Sequence, residues 1–170
     1  MSATEIVAAL SDCLSQQTNA ALAKSILGTS NAADLARVLD QFCRSNLGTE
    51  PTECFFSYLS VGATFGVQLS DGRRLAVKAH SPDYTTQMAA AVAHVQNTLA
   101  EQGFPCPRVT AGPVPLGPSV GVAQEWMGGH AEEDGHQPEI RREMAAGLAR
   151  LIAAARPFAD SEALARFPRP

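Results

Sequence analysis

An Asp-Gly pair set between two alternating apolar runs constrains this chain more than any other feature. Ser70-Asp71-Gly72-Arg73 follows the run 65–69, rich in aromatic and β-branched residues, and precedes a second run, 74–79. Asp-Gly suits the tight turn whose twist matches that of two antiparallel strands. In the second run Leu75, Val77 and Ala79 point one way, and Ala76 and Lys78 the other. A third strand is predicted over 54–61, joined to 65–69 by a turn containing Gly62. The segment therefore reads as a three-stranded antiparallel meander.

What surrounds the meander is helical before it and mixed after it. Ile6, Val7, Leu10, Cys13 and Leu14 recur on one helical face behind a cap at Thr4. A short helix over 20–27 ends at Gly28, and a further helix follows Asn31, with Leu35, Val38, Leu39 and Phe42 as its stripe. Beyond the meander, Ser81-Pro82-Asp83 predicts a helix start of cap, proline and acid. Met88, Val92, Val95 and Leu99 give that helix its apolar stripe, ended by Gly103. A short strand over 109–111, a proline-containing turn over 112–117 and a strand over 120–126 follow. After Gly128-Gly129 comes a polar loop, then a helix from Pro138 with Ile140, Met144, Leu148, Leu151 and Ile152 on one face.

Composition removes several function classes. Thirteen Lys and Arg against 17 Asp and Glu give a net charge of -4, opposite to what a nucleic-acid surface needs. No apolar run approaches the roughly 18 residues of a membrane helix, and the N-terminus carries Glu5 instead of a basic export signal. A cytoplasmic chain is the expectation. Cys13, Cys43, Cys54 and Cys106 contain no Cys-x-x-Cys pair and read as buried reduced thiols. Two histidines and three acids between His130 and His136 could ligate zinc or manganese, but a flexible loop is a poor preformed site, so no metal is assigned.

The order of strand, glycine turn, strand, hairpin, strand with a lysine, helix, two strands and Gly-Gly resembles the small N-terminal lobe of the aminoglycoside phosphotransferase and choline kinase-like family. These are distant relatives of protein kinases. The residues that carry the resemblance are SVGATFGVQL (60–69), DGRRLAVK (71–78), QGFPCP (102–107) and VAQEWMGG (122–129). It implies an α+β fold: a five-stranded antiparallel sheet with one αC-type helix, preceded here by a helical segment. The expected organisation is a 1–48 extension, a 52–127 lobe, and 128–170 as linker, helix and start of a second lobe.

The same resemblance implies the site. Lys78 becomes the strand lysine that reaches the phosphates of ATP, a compact cation held on a rigid strand. Ser60, Gly62, Thr64 and Gly66 become the turn over those phosphates, with glycines allowing close backbone approach. Gln124 presents its carbonyl, and Trp126 its N–H, to the adenine edge, with Ala76, Val77 and Ala123 as apolar walls. A helix carboxylate should hold the lysine, but the aligned position falls at Ala93 or His94, and Glu101 lies about two turns further on. The His-Gly-Asp loop and the Mg2+ ligands of the family's second lobe do not occur in the sequence. The expectation is an ATP-binding lobe of a small-molecule phosphotransferase acting on a hydroxyl acceptor, catalytically incomplete as this chain. The alternative is a non-catalytic kinase-like interaction module. Helix 138–155 and the 158–167 tail are expected to leave apolar surface for self-association or a partner.

Overall fold

The computed structural model describes residues 3–128 and 133–165. Three helices come first: α1 (Ala3–Leu14), α2 (Gln17–Leu27) and α3 (Ala32–Leu47). Five strands and one helix form the middle: β1 (Pro51–Leu59), β2 (Ala63–Leu69), β3 (Arg74–Ala79), α4 (Thr86–Glu101), β4 (Val109–Leu116) and β5 (Ser119–Glu125). Then follow α5 (Pro138–Ala155), a 3-10 turn (Arg156–Phe158) and α6 (Glu162–Ala165). The strands form one sheet in the order β1-β2-β3-β5-β4, and every neighbouring pair is antiparallel. The architecture is therefore α+β with the expected five-stranded sheet.

Strand alternation divides this sheet into two faces. Phe65, Val67 and Leu69 of β2 and Leu75, Val77 and Ala79 of β3 project to one side, where all are nearly inaccessible to solvent. Leu10 of α1 and Leu35, Leu39 and Phe42 of α3 join them in a single apolar cluster. The 1–48 segment thus shares its core with the sheet. The tip of the β4–β5 hairpin is also tied to α2. Ser119 Oγ donates to the Ile26 carbonyl, and Gly117, at φ +64°, lies so close to Leu27 that a Cβ would come within 2.5 Å of its carbonyl oxygen.

Local signals explain most boundaries and several corrections. Asn31 Oδ1 accepts the Ala33 and Asp34 N–H groups and caps α3, while Gly48 closes it at φ +77°. Thr4 lies inside α1 instead of capping it, and α2 begins three residues earlier than predicted, at Gln17. Ser81-Pro82-Asp83 does not open a helix. The Tyr84 N–H donates to the Ser81 carbonyl at 2.8 Å, and Tyr84 stacks on His80 with ring centroids 4.4 Å apart. That turn consumes the segment, and Thr85 becomes the cap, its hydroxyl accepting the Met88 N–H at 3.1 Å. The predicted turn over 112–117 is instead part of β4, which runs on to Leu116 as an edge strand. Its register shifts around Ala111, and such an irregular edge tolerates Pro113 and Pro115, which lack N–H donors.

The last helix forms where predicted but lies largely uncovered. Ile140 and Leu151 are half-buried, while Met144, Leu148 and Ile152 are 64%, 57% and 56% exposed. Residues 129–132 and 166–170 lie outside the described residues, and with them Gly129, His130, Glu132 and the end of the apolar tail. Within the described part of the acidic loop, Asp134 accepts from the backbone of His136 and pairs with its exposed ring at 2.9 Å.

Candidate functional site: an open cleft around Lys78

The second face of the sheet carries the candidate site. Lys78 sits across from Thr64 on β2 and from Val122 on β5; two residues earlier, Ala76 sits across from Gly66 and Gln124. Thr64, Ala76, Lys78, Gln124 and Trp126 line one cavity of about 220 Å3, closed by Pro107, Glu125 and Met127. Five of the eight predicted site residues therefore meet in one place. Ser60, Gly62 and Gly66 do not line it. Lys78 and Gln124 also face a second, more apolar cavity of about 360 Å3 against α4, with Val92, Val95, Gln96 and Leu99.

Lys78 is half-buried, and burial lowers its ammonium pKa from the ordinary lysine value. Among the described residues no carboxylate pairs with it. Glu101 instead reaches Arg108 at 3.8 Å, and exposed His94 lies edge-on to Phe158, with centroids 5.7 Å apart. The polar group that α4 brings toward the lysine is Gln96, which the alignment at Ala93 or His94 passes over. Its signal was available, because Gln96 lies eight residues after Met88 and four after Val92, on the helix's inward stripe. Gln96 Nε2 donates both to the Pro107 carbonyl and, at 3.2 Å, to Gln124 Oε1. His80, next on the Lys78 side of the chain, is also held below the usual histidine range, first by burial and then by the Lys78 charge.

The glycines and the base-edge groups are arranged differently from the sequence expectation. Space for a side chain at Gly62 is taken by the Ala79 carbonyl, 2.7 Å from where a Cβ would sit; at Gly66 it is taken by the Phe55 ring at 2.6 Å. The Ser60 N–H donates to the Gly62 carbonyl at 2.8 Å, closing the turn on itself. Trp126 does not present its main-chain N–H to the cavity: it donates to the Arg74 carbonyl at 3.2 Å. The indole instead joins an aromatic group, with Phe55 at 4.8 Å edge-on and Phe56 at 5.3 Å, and the Arg74 guanidinium covers Phe55 at 3.9 Å. Val77 and Ala123 are not purine walls. Both are 0% exposed on the opposite face, under the helices, and only Ala76 of the three lies at the cleft.

A five-stranded antiparallel sheet, with α4 packed against β4 and β5 and a strand lysine lining the cavities beside them, makes a kinase-like α+β fold. The chain belongs to the phosphotransferase enzyme family, whose sequence model matches residues 59–170. Among solved structures it is similar to a Thermobifida fusca YX-ER1 protein provisionally named a fructosamine-3-kinase, with 23% identity and a TM-score of 0.44. That match covers 69% of this chain and 37% of the other, so the chain spans little more than a third of that relative's length. No curated protein matches it significantly.

Proposed function

We propose that this chain is the nucleotide-binding lobe of a small-molecule phosphotransferase, with ATP as the phosphoryl donor implied by its family. The observation that carries the reading is Lys78: a half-buried cation without a carboxylate partner among the described residues, held on a rigid strand beside a heterocycle-sized cavity. An ammonium in that setting gains from an anion brought by a ligand, because desolvation already disfavours its bare charge. Thr64 adds a hydroxyl donor on the same side, and Ala76 offers a flat apolar contact for a base. Since the Trp126 N–H is held by the Arg74 carbonyl and the Glu125 N–H by the Arg108 carbonyl at 2.9 Å, the base edge falls to the main chain of Met127, which lines the cavity.

Among the described residues no group of three or more His, Cys, Asp or Glu could hold a metal ion, and no step is routed through one. The sequence also contains no His-Gly-Asp base loop, so the lobe binds and orients a donor without transferring its phosphoryl group to a hydroxyl acceptor by itself. A second reading, a kinase-like interaction module, draws support from the exposed stripe Met144, Leu148 and Ile152 on α5.

Calorimetric titration with ATP, with and without magnesium, on the wild-type chain and on Lys78→Ala tests the first reading. The expected result is weak binding that the substitution abolishes. Equal binding by both proteins would remove Lys78 from the site, and no binding by the wild type would leave the interaction module as the better account.

A further inference from the structure

Lys78 lines two cavities, and the nucleotide reading uses only the smaller one. The other, of about 360 Å3, is bounded by β3, β5, α4 and the last two helices. Val92, Val95 and Leu99 of α4, with Phe104, Leu151 and Leu164, make its walls predominantly apolar. Among the described residues that line it, Lys78 alone is charged. The polar groups beside it are largely spent on one another. Gln96 Nε2 donates to the Pro107 carbonyl and to Gln124 Oε1, and Cys106 Sγ donates to the Gln96 main-chain carbonyl at 3.4 Å. Acids of the surrounding segments are engaged elsewhere: Glu125 accepts the Arg108 N–H at 3.0 Å, and Glu101 pairs with the Arg108 guanidinium. The cavity therefore joins an apolar interior to one half-buried cation without an anion to balance it. Burial already lowers the ammonium pKa, so a neutral ligand that covered Lys78 further would deepen that cost, whereas an anion offsets it.

We propose that this second cavity binds an amphipathic monocarboxylate, such as a medium-chain aliphatic acid, with its head on Lys78 and its apolar body against Val92, Val95 and Leu99. The lining excludes the other classes of small ligand. An amine meets a like charge and no carboxylate, and a dianion brings a charge that a single ammonium leaves unmatched among apolar walls. A monocarboxylate supplies one acceptor group for one cation and covers the aliphatic side chains with its tail. The proposal stands without the nucleotide-site reading. One consequence rests on that reading: a single ammonium serves one anion at a time, so the acid and the nucleotide phosphates compete for Lys78.

The experiment is a protein-observed NMR titration of the 170-residue chain with hexanoate, octanoate and decanoate, and with octylammonium and octan-1-ol as head-group controls. Affinity for the acids is expected to rise about two- to fourfold per added methylene, with shifts at Val92, Val95 and Leu99 and no binding of octylammonium. Lys78→Met should weaken octanoate about tenfold and erase its advantage over octan-1-ol. Val95→Phe, with folding checked by its thermal midpoint, should move the preference toward the shorter acids and leave the head-group preference intact. Octanoate that fails to bind the folded wild type, binds no tighter than octylammonium, or is indifferent to Lys78→Met overturns the proposal. Shifts at the cavity that follow protein concentration and not the acid also overturn it, and assign the cavity to a second copy of the chain. Added ATP should weaken octanoate binding. If ATP binds without doing so, the head is not on Lys78 and the proposal fails; if ATP does not bind at all, the nucleotide reading fails and the octanoate series alone decides.

Discussion

The two faces of the sheet are built from alternate residues of the same strands, yet they obey opposite rules. On the helix-covered face Phe65, Val67 and Val77 are 0–1% exposed and packed against Leu10, Leu35 and Leu39. On the other face Thr64, Ala76, Lys78 and Gln124 border open cavities, and Lys78, the cation that lines them, is half-buried without a carboxylate partner among the described residues. A one-residue step along β3, from Val77 to Lys78, crosses from the packed face to the one that borders the cavities. On the proposed reading, stability and binding are separable by strand parity, and substitutions on the two sides should fail in different ways.

The largest effect is expected on the packed face. Phe65→Ala should destabilise the fold by about 3–5 kcal/mol, visible as a marked drop in the thermal midpoint. A loss under about 1 kcal/mol would mean that α1–α3 do not form a common core with the sheet. Next comes Gly66→Val. Its Cβ would fall 2.6 Å from the Phe55 ring, and forcing that ring away should cost about 1–3 kcal/mol in a denaturant melt. An unchanged midpoint would show that the aromatic group of Phe55, Phe56 and Trp126 can shift freely. Lys78→Met should reverse the pattern: stability within about 1 kcal/mol of wild type, or slightly above it, with nucleotide binding gone. A large destabilisation would mean that Lys78 has a structural partner.

The smallest effect concerns pH. His80 is held below its ordinary pKa, so the unfolded chain takes up a proton at a higher pH than the folded one. Its contribution to stability is therefore complete above about pH 6.5 and declines as the pH falls through that unfolded value toward the lower folded one. Thermal midpoints measured between pH 7 and 5 should fall less for His80→Gln than for wild type. Parallel curves would remove His80 from this role.

How much of this was legible beforehand differed between the faces for a physical reason. Parity fixed which residues of β3 share a side, and the Asp-Gly turn fixed the register of β2 against β3, so Ala76 and Lys78 were correctly placed side by side. The Ser81-Pro82-Asp83 start failed because two good caps stood four residues apart, and the stacking of Tyr84 on His80, a contact made only after folding, chose Thr85. Assigning Val77 and Ala123 to the purine wall ignored their parity, which the outward position of α1–α3 then made decisive. The Gln96–Gln124 hydrogen bond joins residues 28 apart, with Gln96 also donating to the Pro107 carbonyl, and no local pattern announces such a network. The role of Gly62 and Gly66 was likewise invisible, since their clearance is set by Ala79 and Phe55 across the strands.

The most direct test of the account is to assign backbone amide and methyl resonances and add ATP at increasing concentration. The account predicts shifts at Thr64, Ala76, Lys78 and Gln124, no comparable change at Val67 or Val77, and loss of the whole pattern in Lys78→Ala. Shifts centred on the helix-covered face, or a pattern that survives removal of Lys78, would contradict it.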